Sequence, residues 1–214
     1  NRKMLILDRP NPNGHYVDGP ILDMKYKSSV GWLPIPIVHG MTLGELALMV
    51  NGERWLPASR ICDITVIKCK NYTHQTMYEL PIPPSPNLPN MKAVYLYPST
   101  CYFEATPVSL GRGTQLPFQI YGHPNMLGYD YTFTPQSIPG AKNPPQLNRI
   151  CHGVNLSELS NEEIWKKGVD LSYLIDAYRN LNMDDYFFRP FFELLTGRDY
   201  VRKMIKPVSY THLR

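Results

Sequence analysis

Short apolar runs and their polar boundaries organise the first third of the chain. MLILD, residues 4–8, stops at an acid and then at RPNPNG, a pattern typical of a buried strand that ends in a loop. In MTLGELALMVNGE, Thr42 stands at a cap position and Glu45 follows three residues later, which is the capping box of a helix start. CDITVIKC alternates and is β-branched. We therefore expect a strand–helix–strand unit with parallel strands.

The remainder of the chain mixes helical and extended patterns. KNYTHQTMYELPIPPSPNLPN is a long loop, and we expect a domain boundary inside it. NMKAVYLYPSTCYFEAT predicts a helix that Pro98 interrupts, with a further turn or helix ending at Glu104. PFQIYGHP predicts a strand, and Ser160 is placed to cap a helix in SNEEIWKKG. LSYLIDAYRNL and FFELLTG have helical spacing too, so the chain is predicted to be α/β.

Both ends of the chain carry expectations of their own. A buried-strand pattern begins almost at Asn1, and a parallel strand needs a crossover unit to pair with, so we expect the protein to have further structure upstream. PVSYTHLR, residues 207–214, has no apolar period and is expected to be a non-native or read-through tail.

Composition excludes several classes of protein. With 214 residues, 43% hydrophobic and 19% charged, the chain is long and apolar enough for a globular core, and its apolar runs are too short to span a bilayer. The net charge of +4 is spread among acids, so no nucleic-acid footprint is expected. The four cysteines form no metal-ligand or disulfide pattern, and a strand between Cys62 and Cys69 argues against bridging them. No nucleotide, zinc-protease or serine-hydrolase motif occurs.

Arg112 is the candidate residue that raises the sharpest question. It stands between Gly111 and Gly113, whose backbone freedom lets a loop present a guanidinium to an anion or a hydroxyl. Two other interpretations are open: a solvated arginine in a surface turn, or an ion pair in which Glu104 holds the loop. Asp8 and Arg9 follow the first strand, where an acid can orient a hydroxyl and an arginine a carboxylate, or the two can simply pair with each other.

Other polar residues are ambiguous on spacing alone. His39 precedes the helix cap, where it is either a structural hydrogen-bonder or a group that points into a cleft. Glu45 is most simply a capping carboxylate. A cysteine nucleophile has weak support, because Cys69 with His74 and Cys151 with His152 lack a third partner. Carboxylates, arginines and the 15 tyrosines suit a saccharide site better.

Six motifs in order carry a family resemblance. LDRPNPNG, VDGP, PIPIVHGMTLGELALMVNGE, PPSPNLPN, YPSTCYFEATPVSLGRGTQLPFQIYGHP and CHGV closely resemble the exo-β-N-acetylmuramidases, over residues 3–206. The resemblance implies a glycoside hydrolase that releases terminal, non-reducing β-1,4-linked N-acetylmuramic acid from peptidoglycan fragments. It also implies the carboxyl-terminal portion of a Rossmann-like domain, residues 1–80, followed by a smaller mixed α/β domain, residues 81–206.

The resemblance implies site residues as well. The family's catalytic glutamate lies in a Glu-His-Gly motif that this sequence does not contain, so it is expected upstream, with Glu104 as candidate partner and the chain itself incomplete for catalysis. The substrate-binding residues carried over by motif are Asp8, Arg9, Asn11, His39, Ser85, Asn87, Arg112 and Thr114. Muramyl saccharides are the expected partners, no metal or cofactor is expected, and the location is periplasmic or secreted.

Two competing functions remain open at this point. One is a non-catalytic saccharide-binding or scaffold protein of the cell envelope on the same fold. The other is a cysteine-dependent amidase acting on the peptide stem, which requires Cys69 or Cys101 beside a histidine.

Overall fold

The computed structural model describes residues 3–208 of the chain, with side chains up to residue 206. The strands are β1 (Lys3–Leu7), β2 (Asp18–Ile21), β3 (Pro36–Val38), β4 (Asp63–Ile67), β5 (Ile120–His123), β6 (Tyr131–Phe133) and β7 (Cys151–Asn155). The helices are α1 (Leu43–Gly52), α2 (Met91–Thr100), α3 (Asn161–Lys167), α4 (Ser172–Leu181), α5 (Phe192–Thr196) and α6 (Tyr200–Val208). The prediction of an α/β chain is confirmed.

The chain forms two compact units that are not contiguous in sequence. The first comprises residues 1–19 and 38–80, and the second comprises residues 20–37 and 81–214. Residues 20–37 therefore belong to the second unit, although segments of the first flank them on both sides. Of the tail proposed at 207–214, residues 207 and 208 end α6, and the rest lies outside the described residues.

The first unit is the predicted strand–helix–strand arrangement. β1 and β4 pair in parallel, with Lys3 opposite Asp63 and Leu7 opposite Ile67, and α1 connects them. Both halves of the capping box form, since Thr42 Oγ1 accepts from the Glu45 N–H at 3.2 Å and Glu45 Oε2 accepts from the Thr42 N–H at 2.9 Å. Sequence-local hydrogen bonding thus fixes where α1 begins.

The second unit carries an aromatic core and an antiparallel sheet. β7 lies between β5 and β6, and Gly153 of β7 is packed so closely against the Tyr121 carbonyl of β5 that a Cβ atom would overlap it. The largest fully buried side chains are aromatic: Tyr102, Tyr121, Phe103, Phe118, Phe187 and Phe192. The loops of the second unit pack on this core.

α2 departs from the sequence prediction at Pro98. The helix continues through this proline to Thr100, and a 3₁₀ helix follows at Cys101–Ala105. Pro98 lacks the N–H group that would donate to the carbonyl four residues earlier, but burial of Leu96, Ser99 and Thr100 holds the segment against the core. The expected interruption at Pro98 was wrong, whereas the further turn containing Glu104 is confirmed.

Candidate functional site

Asp8 follows β1 and binds the beginning of α1. Its Oδ2 accepts from the Thr42 hydroxyl at 2.7 Å, and its Oδ1 accepts from the N–H groups of Gly44 at 2.8 Å and Arg9 at 2.9 Å. Partial burial opposes ionisation, but these hydrogen bonds outweigh it and lower the pKa of Asp8. The amino terminus of α1, a natural anion site, is therefore occupied by the chain's own carboxylate.

Asn11 and His39 converge on Met41. The Asn11 amide donates to the Met41 carbonyl at 2.9 Å, and the Met41 N–H donates to His39 Nδ1 at 3.1 Å. Burial lowers the pKa of His39, so the ring is neutral near pH 7 and carries its proton on Nε2. His39 thus presents one N–H donor, while the Asn11 side chain is used within the loop.

Arg9 differs from its neighbours because its guanidinium is exposed. The Asp8 carboxylate meets only the Arg9 backbone N–H, and the guanidinium forms no hydrogen bond or ion pair with any residue that the structure describes. The self-contained pairing of Asp8 and Arg9 side chains, left open on sequence grounds, is therefore absent among residues 3–208. A cation remains available at the end of β1.

A second group of contacts in the first unit, around Tyr72 and His74, was not predicted from the sequence. The Tyr72 hydroxyl accepts from the Asn11 N–H and donates to the Asn11 carbonyl, both at 3.1 Å. His74 Nδ1 lies 2.9 Å from the Gly14 carbonyl, and His74 Nε2 lies 3.0 Å from Glu45 Oε1. Tyr72, His74 and Glu45 line a cavity of about 230 Å³ at the carboxyl ends of β1 and β4.

The glycine–arginine–glycine loop of the second unit is rigidly built. Gly111 and Gly113 have φ values of +70° and +82°, and a Cβ atom on either would overlap the Ile120 side chain or the Gln136 carbonyl, respectively. The Thr114 hydroxyl donates to the Gly111 carbonyl at 2.6 Å, which closes the turn. Glycine is required at both positions because of backbone conformation and close packing together.

Arg112 is held in place by two neighbours. Arg112 Nη2 lies 3.1 Å from Glu104 Oε2, and the guanidinium carbon lies 5.0 Å from the Phe118 ring centroid. The Arg112 side chain is 34% exposed and the Glu104 side chain is 24% exposed. Arg112 Nε is buried without a hydrogen-bond partner among the described residues. Of the three interpretations left open by the sequence, the ion pair with Glu104 is the one observed, and the guanidinium still has capacity to bind.

Ser85 and Asn87 lie in a neighbouring turn of the second unit. Ser85 Oγ accepts from the Asn87 N–H at 3.2 Å, and the Asn87 amide donates to the Gly140 carbonyl at 3.1 Å. The segment leading to Gly140 is fastened to the arginine loop, because the Gln136 N–H donates to the Gly113 carbonyl at 2.9 Å. The residues predicted from the motifs thus fall into one set in the first unit and another in the second, and their substrate-binding roles stay predictions.

Two of the four cysteines, Cys101 and Cys151, are placed unfavourably for the amidase alternative, whereas Cys69 lines the same cavity as His74. Burial raises the pKa of Cys101 to about 12 and that of Cys151 to about 11, which keeps both thiols protonated near pH 7.

Within residues 3–208, no three His, Cys, Asp or Glu side chains are grouped to hold a metal ion. Across the same residues, no helix is both long and apolar enough to cross a bilayer.

The parallel strand–helix–strand unit, the antiparallel sheet and the arginine-bearing loop define a two-unit α/β protein with polar candidate sites on its loops. Residues 1–92 match the family described as Exo-beta-N-acetylmuramidase NamZ, N-terminal, and residues 95–212 match Exo-beta-N-acetylmuramidase NamZ, C-terminal. The chain therefore belongs to the NamZ exo-β-N-acetylmuramidase family, which confirms the resemblance carried by its motifs.

Individual relatives agree with this assignment. The peptidoglycan beta-N-acetylmuramidase NamZ of Bacillus subtilis (strain 168) is 35% identical over 220 residues, covering 94% of this chain and 52% of the relative. The crystal structure of a DUF1343 family protein from Bacteroides fragilis NCTC 9343 matches with a TM-score of 0.96 and 84% identity, covering 97% of this chain and 59% of that one. A second protein of that family and organism, 24% identical with a TM-score of 0.72, covers 97% and 60% and shares the fold. The chain thus spans about half of the curated relative's length.

Proposed function

We propose that this chain forms part of an exo-β-N-acetylmuramidase that releases terminal, non-reducing β-1,4-linked N-acetylmuramic acid from peptidoglycan fragments. Family membership and the similarity to the B. subtilis peptidoglycan beta-N-acetylmuramidase support this activity. The observation that carries the proposal is the Arg112 side chain, which stands on the glycine-flanked loop, is 34% exposed and uses Nη2 for its ion pair with Glu104. An anionic saccharide gives such a group a binding partner.

The carboxylate of the proposed substrate suits an arginine side chain. N-acetylmuramic acid carries a lactyl carboxylate, and a planar guanidinium binds carboxylates through paired hydrogen bonds. Arg112 is the proposed carboxylate-binding group of the second unit, where Glu104 and the Phe118 ring already contact its guanidinium. Considered by itself, the first unit offers the exposed Arg9 guanidinium and the His39 Nε2–H group as donors to sugar oxygens, whereas its Asp8 carboxylate already accepts three hydrogen bonds.

Glu104 is the carboxylate that we propose to work beside the sugar. It is 24% exposed, and its described ion pair uses only Oε2. Glu45 is less suitable, because one of its oxygens caps α1 and the other faces His74. In a carboxylate-based glycosidase, a residue in the position of Glu104 orients a hydroxyl or exchanges a proton with the leaving oxygen.

The test measures N-acetylmuramic acid release from a chromogenic β-muramide by this chain and, in parallel, by the longer B. fragilis relative. Arg112→Ala, Arg112→Lys and Glu104→Gln are compared with Arg149→Ala, which removes an exposed arginine hydrogen-bonded to Gln146. Hydrogen bonds to a charged group contribute about 1.5–3 kcal/mol, so Arg112→Ala should lower kcat/KM roughly 10- to 150-fold, with Arg149→Ala unchanged. Equal activity of Arg112→Ala and the parent protein would refute this role for Arg112.

A second candidate function is a saccharide-binding protein without catalysis. The observation that favours it is the engagement of Asp8, Glu45 and Glu104 in contacts within the chain. It predicts that muramyl saccharides bind, weakened by Arg112→Ala, while neither this chain nor the longer relative releases sugar. Calorimetric titration with N-acetylmuramic acid beside the release assay separates the two functions.

We also propose a location in the cell envelope, periplasmic or secreted, because the proposed substrate derives from the cell wall. Fractionation of cells that express the gene, followed by immunodetection of the protein, tests this proposal. Recovery in the cytoplasmic fraction alone would contradict it.

A further inference from the structure

Tyr72 and His74 bind the loop after β1 at two residues, Asn11 and Gly14. The Tyr72 hydroxyl binds both the N–H and the carbonyl of Asn11, and His74 Nδ1 faces the carbonyl of Gly14. Between these points the Gly14 N–H donates to the Asn11 carbonyl at 3.0 Å, so the gripped segment is a closed turn. A Cβ atom at Gly14 would overlap the Tyr72 hydroxyl, which shows how closely the two segments approach.

The other side of His74 is fastened to α1. His74 Nε2 faces Glu45 Oε1, while Glu45 Oε2 accepts from the Thr42 N–H at the beginning of the helix. Both ring nitrogens therefore face acceptors, since a backbone carbonyl and an ionised carboxylate can only accept hydrogen bonds. A neutral imidazole has one N–H group and can donate to one of them, whereas an imidazolium donates to both.

We propose that Tyr72 and His74 are positioning residues that hold residues 9–14, and with them Arg9, in the geometry that binds saccharide, and that the His74 contact requires the doubly protonated ring. The saccharide part rests on the proposed function. Tyr72 supplies the contact at Asn11, and His74 supplies a second contact, at Gly14, that depends on pH. The first unit thereby contains a pH-dependent fastening of a binding loop.

The charges around His74 favour the protonated ring. The hydrogen bond to Gly14 and then that to Glu45 raise the pKa of His74 above its ordinary value of 6.5. The other titratable or charged groups lining the same cavity are Asp8 at the end of β1, Lys68, Cys69 and Tyr72 after β4, and Glu45 on α1. Because the folded-state pKa is raised, the contact is complete below about pH 6.5 and is lost as pH rises through the raised value.

The first measurement is amide hydrogen exchange of Asn11 and Gly14 in the whole chain between pH 5.5 and 9, corrected for intrinsic exchange. In the parent protein, protection should fall roughly three- to tenfold through the His74 titration, as expected for loss of one charged hydrogen bond in a half-exposed pair. His74→Gln should show no such step, and Tyr72→Phe should show lower protection throughout with the step retained. His152→Gln, which removes a histidine of the second unit, is the matched control and should behave as the parent protein.

The second measurement is the pH dependence of KM and kcat for the chromogenic β-muramide. A positioning role predicts that KM rises with pH through the same titration, that kcat does not, and that His74→Gln makes KM independent of pH. A step in protection that survives His74→Gln would assign it to another group and overturn the proposal. So would unchanged protection in Tyr72→Phe, or a KM of the parent protein that does not follow the protection.

The two measurements separate this inference from the proposed function. If the exchange pattern appears as expected but neither this chain nor the longer relative binds or hydrolyses a muramide, the proposed function is wrong and the positioning role falls with it. The pH-dependent fastening of residues 9–14 is then supported as a property of the fold alone.

Discussion

Asp176 on α4 offers a quantitative test of how the second unit is held together. Its Oδ2 accepts from the Tyr121 hydroxyl at 2.8 Å and its Oδ1 from the Tyr129 hydroxyl at 2.7 Å. Tyr121 is only 2% exposed, so in the folded protein its hydroxyl depends on the Asp176 carboxylate for a hydrogen-bond partner. One side chain thus joins α4, β5 and the loop before β6.

Asp176→Ala should therefore cost far more than an ordinary surface substitution. Each hydrogen bond to a charged group is worth about 1.5–3 kcal/mol, and two of them are lost while a buried hydroxyl is left unpaired. We expect the free energy of unfolding of the second unit to fall by about 3–5 kcal/mol. Tyr129→Phe removes one of the bonds without leaving a buried partner unpaired and should cost about 1–2 kcal/mol.

The assay is urea unfolding followed by circular dichroism at pH 7. The matched control is Asp130→Ala, an exposed aspartate near the same loop, which should change the free energy of unfolding by less than about 0.5 kcal/mol. If Asp176→Ala cost less than about 1 kcal/mol, the tyrosine hydroxyls would be as well satisfied without the carboxylate, and the argument would be refuted.

The same cluster predicts a response to alkaline pH. Burial, and then the charge and hydrogen bond of Asp176, raise the pKa values of Tyr121 and Tyr129. A raised folded-state pKa means that stability is complete below the unfolded value near 10 and is lost as pH rises beyond it. Above pH 10, each tyrosine lowers the free energy of unfolding by about 1.4 kcal/mol per pH unit. In Tyr129→Phe the free energy of unfolding should therefore fall with pH less steeply by that amount.

Two further predictions concern packing and thiol reactivity. Gly153→Ala should destabilise the second unit by about 3 kcal/mol or more because its Cβ would overlap the Tyr121 carbonyl, whereas Gly52→Ala, at the exposed end of α1 with open space around it, should be neutral or stabilising by up to about 1 kcal/mol. Thermal unfolding of the two variants compares them, and equal stability would contradict the packing argument. Iodoacetamide at pH 8 should modify the partly exposed Cys62 and Cys69 in the native protein and reach Cys101 and Cys151 only in denaturant; native modification of Cys101 would revive the cysteine alternative.

Features with short sequence separation were predictable. The capping box joins Thr42 to Glu45 three residues away, and alternating β-branched residues identified β4. The Glu104–Arg112 pair spans eight residues, and the glycines on either side of Arg112 predict the turn that brings the two together. In each case the physical cause lies in the local sequence, so a local pattern is sufficient to show it.

The contacts that were missed join residues far apart in the chain. His74 meets Glu45 across 29 positions, and Asp176 meets Tyr121 across 55. No periodicity marks such a pair, because the partners are selected by the three-dimensional packing of elements that are each predicted separately. Pro98 shows the same limit, since tertiary burial carried α2 past a residue that locally disfavours helix.

Residues 20–37 have a consequence for how the protein can be divided and how it is made. Within the second unit, the Asp23 N–H binds the Gly197 carbonyl and the Arg198 guanidinium binds the Ile21 carbonyl, across 177 residues in the latter case. During synthesis, this early segment must wait without its partners until residues 197 and 198 leave the ribosome. Dividing the chain between Leu80 and Pro81 would likewise separate residues 20–37 from the rest of the second unit. Expressed fragments of this protein should therefore contain both units.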